Sequence, residues 1–464
     1  VVKDYSEFIA TKQRRVESFG FDVELAGINP SLFDWQKRAV QWAVKRGRSA
    51  LFEECGLGKT LQQLEWARIV FDNCRLPVVV HCPVGVRKQT KREAEKFGIS
   101  APVAIVDEPE DVIAGINLIN YEKLHKFDAS VFGGVVLDES SILKGLNSTT
   151  RKLLNDCYSA TRFRLACTAT PAPNDHTELG NHAEFLGICQ PVDMLNRYFV
   201  HDSGDTSKWR LRGHAVGDFW GWVSQWAVCI SKPSDIGGDD TGYALPELLI
   251  QRHHVVPDED HAPAGMLFNT AGISATTMHE EKRLTNVARC RKAAEIAKNS
   301  KGAVLIWCDT DYEADELIGQ LPKAVEVRGS DKDKEEKLLA FADGKFRILI
   351  SKPSIAGFGL NYQHCSTQIF AGLSYSFEAY YQAVRRSWRF GQKQAVKVHI
   401  VIADSDSAIE SAVARKESDH AVMQSGMAQA MAMTNGVTCN GDILKQRYNA
   451  GLRIEVPSFL KERK

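Results

Sequence analysis

Short runs of Val, Ile and Leu, each bounded by Gly, Pro or a charged residue, alternate with segments of helical spacing along most of this 464-residue chain. Residues 76–82, 101–106, 115–120, 133–138 and 162–167 read as buried strands, and 49–53 as a shorter one. Helical patterns fill 59–72 and 87–97. Strands that are apolar nearly throughout are covered on both faces, so the alternation points to parallel sheets sandwiched by helices. The pattern then restarts, with strands expected at 303–308, 324–328, 346–351, 367–371 and 396–402. The fold class that follows is α/β, with two parallel-sheet lobes in tandem. The expected division is lobe one over 1–189, a Trp-rich helical extension and connector over 190–262, lobe two over 263–420, and a C-terminal helix and tail over 421–464.

Composition removes other classes. Hydrophobic residues at 44% and charged residues at 25% suit a folded globular chain rather than a disordered or fibrous one. The 58 Lys and Arg balance 58 Asp and Glu, which excludes a histone-like basic coat but not a local basic groove. No apolar run approaches the ~20 residues of a membrane span, and no signal-like segment opens the chain. Eleven scattered cysteines without a C-x-x-C pair suit a reducing cytosol better than a disulfide or zinc module. The Met/Ala-rich stretch 421–433 reads as packing surface.

The chemistry concentrates in three places. Glu54-Cys55-Gly56-Leu57-Gly58-Lys59-Thr60 follows the short first strand and opens a helix. Glycines let backbone N–H groups curl around a phosphate, and the helix N-terminus adds its dipole. Gly56, Leu57, Gly58, Lys59 and Thr60 are therefore the nucleotide-loop candidates, with Lys59 on the outer phosphates and Thr60 on Mg²⁺. Glu53 stands where the general pattern has its first glycine. Downstream, Val135-Val136-Leu137-Asp138-Glu139-Ser140-Ser141 ends an apolar strand in two acids. Asp138 there can hold Mg²⁺, and Glu139 can orient and deprotonate an attacking water. Gln382, Arg386 and Arg389 stand at offsets of zero, four and seven, within about 60° of arc on a helix. Two arginines on one face suit the charge that builds on a transferred phosphate.

In this order the pieces resemble a superfamily-two helicase motor, and within it the Swi/Snf-type branch, with the compact size of small phage or prophage DEAD/DEAH-box helicases. Leu32-Phe33-Asp34-Trp35-Gln36 is similar to the branch's adenine-reading segment, which implies that Gln36 contacts the base. His81-Cys82-Pro83 and Ile119-Asn120-Tyr121-Glu122 resemble its next motifs, with Thr90 in place of a usual tryptophan. Asp138-Glu139-Ser140-Ser141 replaces D-E-G-H or D-E-A-H, removing the relay histidine. Cys167-Thr168-Ala169-Thr170-Pro171 resembles the segment coupling hydrolysis to lobe movement, which implies coupling roles for Thr168 and Thr170. Gly357-Phe358-Gly359-Leu360-Asn361 is similar to G-L-G-L-N, placing Gly359 near the nucleotide. The run 382–392 (QAVRRSWRFGQ) is similar to Q-A-x-D-R-A-H-R-I-G-Q. By that match Arg386 and Arg389 are finger arginines, while Arg385 and Trp388 replace an aspartate and a histidine.

The resemblance implies two RecA-like lobes with ATP and Mg²⁺ between them, and nucleic acid across the opposite rim. Arg87, Lys88, Asn120, Lys352 and Ser354 are its track candidates. Residues 87–96 carry Arg87, Lys88, Lys91, Arg92 and Lys96 against Glu93 and Glu95, which suits phosphate contacts without sequence reading. The same run fits a solvated amphipathic helix equally well. The implied activity is an ATP-dependent translocase on DNA, duplex rather than single-stranded, in the cytosol of a bacterial or phage-infected cell. A strand-separating helicase and a slow ATP-gated DNA-binding module remain the alternatives.

Overall fold

A computed structural model describes residues 16–145, 148–201, 204, 209–256, 282–283, 285–357, 361–403 and 407–433. Among the described residues, fifteen strands run in chain order: β1 (Arg48–Glu53), β2 (Val78–Cys82), β3 (Val103–Ile105), β4 (Ile116–Asn120), β5 (Gly134–Asp138), β6 (Phe163–Thr168), β7 (Phe199–His201), β8 (Trp209–Leu211), β9 (Ala227–Ile230), β10 (Leu248–Val255), β11 (Val304–Trp307), β12 (Val325–Val327), β13 (Ile348–Ser351), β14 (Thr367–Phe370) and β15 (Val396–Ala403). They form a seven-stranded sheet in the order β3-β4-β2-β5-β6-β1-β9 and a six-stranded sheet in the order β10-β15-β14-β11-β13-β12. Every pairing within these two sheets is parallel. β7 and β8 pair antiparallel as a separate ribbon.

The apolar runs explain the layers. Every residue of β2, β4, β5 and β6 is buried, so helices must cover both faces. In β11 the pleat divides the core: Leu305 and Trp307 join one hydrophobic cluster, Val304 and Ile306 the other. The two-lobe α/β expectation holds, with most strands shortened by a residue or two at their ends.

The described residues 190–201, 204 and 209–256 carry helices at Pro191–Tyr198 and Val216–Val223 and, beyond what the sequence suggested, supply an edge strand to each sheet. β9 pairs with β1 in lobe one, and β10 pairs along its whole length with β15 in lobe two. β9 is a short apolar run hidden behind the tryptophans, and β10 has the partly exposed pattern of an edge. Trp220, Trp222 and Trp226 are buried in the lobe-one core rather than free to stack on bases. The C-terminal helix starts before the expected residue 421 and its methionines pack as expected, while the tail beyond residue 433 lies outside the described residues. The helix runs from Ser407 to Met433, starts with Ile409 and Val413 in the lobe-two core, and ends with Met423, Met427 and Met431 in the lobe-one core. Among the described residues, no helix is long and apolar enough to cross a membrane.

Candidate active site

Parallel sheets expose the carboxyl ends of their strands as one rim, and the lobe-one motifs sit there. β6 lies between β5 and β1. Register sets Asp138 beside Cys167 and Phe52 beside Thr168, so the loops after three adjacent strands open at one level.

The loop after β1 wraps because Gly56 and Gly58 take φ of 91° and 82°, a region that side-chain-bearing residues avoid. Lys59 begins the helix Lys59–Cys74, and its ammonium donates to the carbonyls of Glu53 (2.7 Å) and Glu54 (3.2 Å). Burial works against its charge, yet Cys55, Glu139, Glu53 and Glu54 hold its pKa above the usual lysine value. Thr60 is half-buried on the first helical turn. Gln36, in the helix Asp34–Arg46, accepts from the Phe33 N–H at 2.9 Å and donates to the Leu57 carbonyl at 2.7 Å. It therefore braces the nucleotide loop, and a Cβ on Gly58 would meet its Nε2 at 2.6 Å. The unusual Glu53 is buried, receives Gln62 at 2.7 Å, and is pushed up to about 7 by burial.

Asp138 accepts from Gln63 Nε2 at 2.8 Å, and its carbonyl accepts from the Tyr121 hydroxyl at 2.7 Å. Glu139 is in the left-handed region at φ 56°, ψ 55°, rare for a residue with a side chain and a place where active sites hold strain. Its pKa is raised, first by burial and then by Asp138, while Lys59 and Arg386 pull it down. Thr168 Oγ1 donates to Glu139 Oε2 at 3.4 Å, and accepts from the Thr170 N–H at 3.1 Å.

Lobe two closes onto this set. Gln382 lies in the helix Phe377–Val384; its Nε2 donates to Glu139 Oε2 at 3.4 Å and its Oε1 accepts from Cys55 Sγ at 3.6 Å. Arg386 is buried and anchored on Gln382 through the side-chain oxygen (2.8 Å) and the carbonyl (3.1 Å). Gln382, Arg386 and Arg389 do not share a helical face as their offsets suggested. The helix ends at Val384, the Arg386 and Ser387 N–H groups step to the i−3 carbonyls of Ala383 and Val384, and the chain turns through 385–390 with the Arg386 carbonyl accepting from the Tyr362 N–H. Arg389 follows in that turn, its Cβ 3.5 Å from where a Cβ on Gly56 would sit. Its Nε is buried with no hydrogen-bond partner among the described residues, and burial, then Arg386, lowers its pKa to about 10. Gly359 lies outside the described residues.

Between the lobes opens a cleft of about 650 Å³, with Glu139 in its wall. Asn120 and Ser354 line it from opposite lobes. The basic track candidates are engaged elsewhere: Arg87 pairs with Asp107 at 2.6 Å, Lys352 with Asp311 at 2.9 Å, and Lys88 bridges to Glu335 on the other lobe. The lining sets Lys144 and Lys334 against Glu122, Glu139, Glu335 and Glu378, so acids outnumber bases in the wall.

Several contacts escaped sequence reasoning. Gln63 orients Asp138, and its only signal was a second glutamine in the helix after the loop. His182 meets the Ser140 hydroxyl at 3.1 Å with both side chains buried, and burial drops the imidazole pKa to about 4. That neutral ring reaches the D-E-S-S turn from a different helix, Leu179–Phe185, and nothing in the local sequence announced it.

Two α/β lobes sharing a glycine loop, paired acids and an arginine-bearing turn define a bilobal P-loop core. The family model for the helicase conserved C-terminal domain matches residues 285–391. The chain is 28% identical to a SWI/SNF-related matrix-associated actin-dependent regulator of chromatin subfamily A-like protein 1 homolog of Caenorhabditis elegans, across 32% of this chain and 23% of that protein. It is 23% identical to the human DNA annealing helicase and endonuclease ZRANB3, across 89% of this chain and 41% of that protein. A probable global transactivator of Orgyia pseudotsugata multicapsid polyhedrosis virus is 22% identical, across 82% of this chain and 88% of the viral protein. A Sulfolobus solfataricus SWI2/SNF2 ATPase core in complex with dsDNA aligns with a TM-score of 0.43 and 17% identity, over 88% of this chain and 96% of that one. The chain thus carries a match to the helicase conserved C-terminal domain and is similar to proteins named for SWI/SNF-related regulators and a DNA annealing helicase, and it spans less than half the length of the first two relatives.

Proposed function

We propose that the chain is an ATP-dependent DNA translocase that hydrolyses ATP between its lobes and steps along duplex DNA. The observation that carries this is the convergence on Glu139 of Lys59 and Thr168 from lobe one with Gln382 and Arg386 from lobe two. Gly56, Leu57 and Gly58 would wrap the phosphates, Lys59 would move from loop carbonyls to the outer phosphate, and Gln36 would meet the base. Arg389, half-buried with an Nε that meets no hydrogen-bond partner among the described residues, has the chemistry of an anion's partner. Mg²⁺ bound with the nucleotide would sit on Thr60 and Asp138 and neutralise charge on the transferred phosphate. Glu139 would take the proton of the attacking water, and Arg386 would stabilise the charge developing on the γ-phosphate.

DNA would lie along the rim holding Asn120 and Ser354, with Arg87, Lys88 and Lys352 exchanging carboxylate partners for phosphates. The name of the human relative, a DNA annealing helicase, supports DNA as the polymer, while a bacterial or phage-infected cytosol rests on the sequence resemblance alone. The test is steady-state ATP hydrolysis with no polymer, single-stranded DNA, duplex DNA and duplex RNA, with Lys59→Ala as control. Duplex DNA should stimulate most, and Lys59→Ala should abolish turnover. Stimulation by single strands alone would favour strand separation, and indifference to every polymer would overturn the motor.

A further inference from the structure

Of two departures from the family motif, Arg385 meets a residue on the opposite lobe and Trp388 packs against the Arg385 guanidinium. Arg385 Nη2 pairs with Glu54 Oε2 at 2.8 Å, with side-chain exposures of only 11% and 8%. The guanidinium lies over the Trp388 ring at 4.3 Å and the Tyr381 ring at 5.1 Å, a stacked seat that lysine would not fill equally well. The Tyr381 hydroxyl donates to the same carboxylate oxygen, as does Gln424 Nε2 from the C-terminal helix at 3.4 Å. The other oxygen accepts from the Cys55 N–H at 2.6 Å. Glu54 thus ties the nucleotide loop to lobe two and to the C-terminal helix through protein atoms alone. An aspartate at 385, as the family motif has, would set like charges face to face here.

Arg385 is chain neighbour to Arg386 but engages a different part of lobe one. Arg386 and Gln382 face Cys55 and Glu139, while Arg385 holds Glu54. We propose that Arg385 is a positioning residue: its pair with Glu54 docks the arginine-bearing turn of lobe two onto the nucleotide loop and so sets Arg386 against Glu139. Its catalytic consequence rests on the ATPase reading above; the docking itself does not. Burial alone would raise the Glu54 pKa, yet Arg385 and Tyr381 hold it below the usual carboxylate value, as a standing charged pair requires.

The test uses the full chain with fluorophores placed through unnatural amino acids at exposed positions 110 and 345, one on each lobe. Energy transfer reports lobe separation, and ATP turnover is followed in parallel. Arg385→Ala should open the lobes and lower kcat about 10- to 100-fold, the scale of a misplaced catalytic group, with the ATP KM little changed. Arg385→Lys should fall between, and it keeps the buried site charged should the alanine variant fold poorly by circular dichroism. Combining Glu54→Arg with Arg385→Glu should recover closure and part of kcat relative to either single change. Unaltered energy transfer in both Arg385 variants, an effect confined to KM, or a swap no better than its parents would overturn the proposal. If the native chain hydrolyses no ATP with any polymer, the functional reading fails while energy transfer still decides the latch.

Discussion

Gly426 stands in the middle of the helix Ser407–Met433, where helix propensity alone disfavours it. On an exposed helix, glycine to alanine gains ~1 kcal/mol. Here the missing side chain lets the helix lie against an indole. A Cβ at 426 would come 2.5 Å from Trp220 Nε1, 2.8 Å from Cε2 and 2.9 Å from Cδ1. The ring has little room to yield: it is 4% exposed and packed edge-on to Phe219 at 4.8 Å and His176 at 5.4 Å. Overpacking of this kind costs ~1–3 kcal/mol, which outweighs the propensity gain. Gly426→Ala should therefore destabilise lobe one by roughly 1 kcal/mol, or ~0.5 M in urea midpoint for a slope of about 2 kcal/mol/M. Urea unfolding followed by tryptophan fluorescence measures it. A midpoint that rises by a similar amount would mean that the C-terminal helix does not dock on lobe one, and the account of a helix joining both cores would be wrong.

Arg386→Ala should leave nucleotide affinity nearly intact while turnover falls ~10³-fold, measured by fluorescent nucleotide binding beside phosphate release. His182→Ala leaves the buried Ser140 hydroxyl without its partner and loosens the turn that holds Glu139, so kcat should fall about tenfold at constant ATP KM; an unchanged kcat would assign the pair to packing alone. In lobe two, Arg289 and Glu313 form a pair with exposures of 1% and 0%, and Glu313→Ala should cost ~3–5 kcal/mol in denaturant unfolding by stranding the guanidinium. Burial would raise the Glu313 pKa, but Arg289 and the Asp309 and Thr310 N–H groups hold it below its ordinary value. Its stabilising share is thus fully present above the unfolded value near ~4.3 and is lost as pH falls through the folded one. Glu313→Gln should flatten the acid limb of the stability profile measured from pH 7 downward.

Strand ends were the most legible parts of the chain. Asp138 and Glu139 follow four apolar residues, and a parallel strand must deliver what comes after it to the carboxyl rim, so position in sequence became position in space. The nucleotide loop was legible for a similar reason, since only glycine takes the φ values at 56 and 58 without strain. The arginines were correctly grouped but wrongly arranged. Helical arithmetic assumed a helix through Arg389, whereas the chain tightens into i→i−3 bonds at Arg386 and Ser387 and leaves the helix at Val384, and no local pattern encodes that turn. β9 and β10 were missed because a dense tryptophan run and a half-exposed edge strand lack the continuous apolar signature of central strands. Ser140–His182 and Glu54–Arg385 are contacts between distant elements. The second left one trace, the motif departure at Arg385, whose charge finds the Glu54 carboxylate only once the lobes meet.

The central claim is that ATP turnover moves this chain along duplex DNA without parting its strands. Displacement of a triplex-forming oligonucleotide from a long duplex tests it most directly, read by gel with strand integrity followed on the same substrate. Triplex release that requires ATP, vanishes in Lys59→Ala and leaves the duplex paired is the predicted result. Absence of ATP-dependent release, or release accompanied by separated duplex strands, would contradict it.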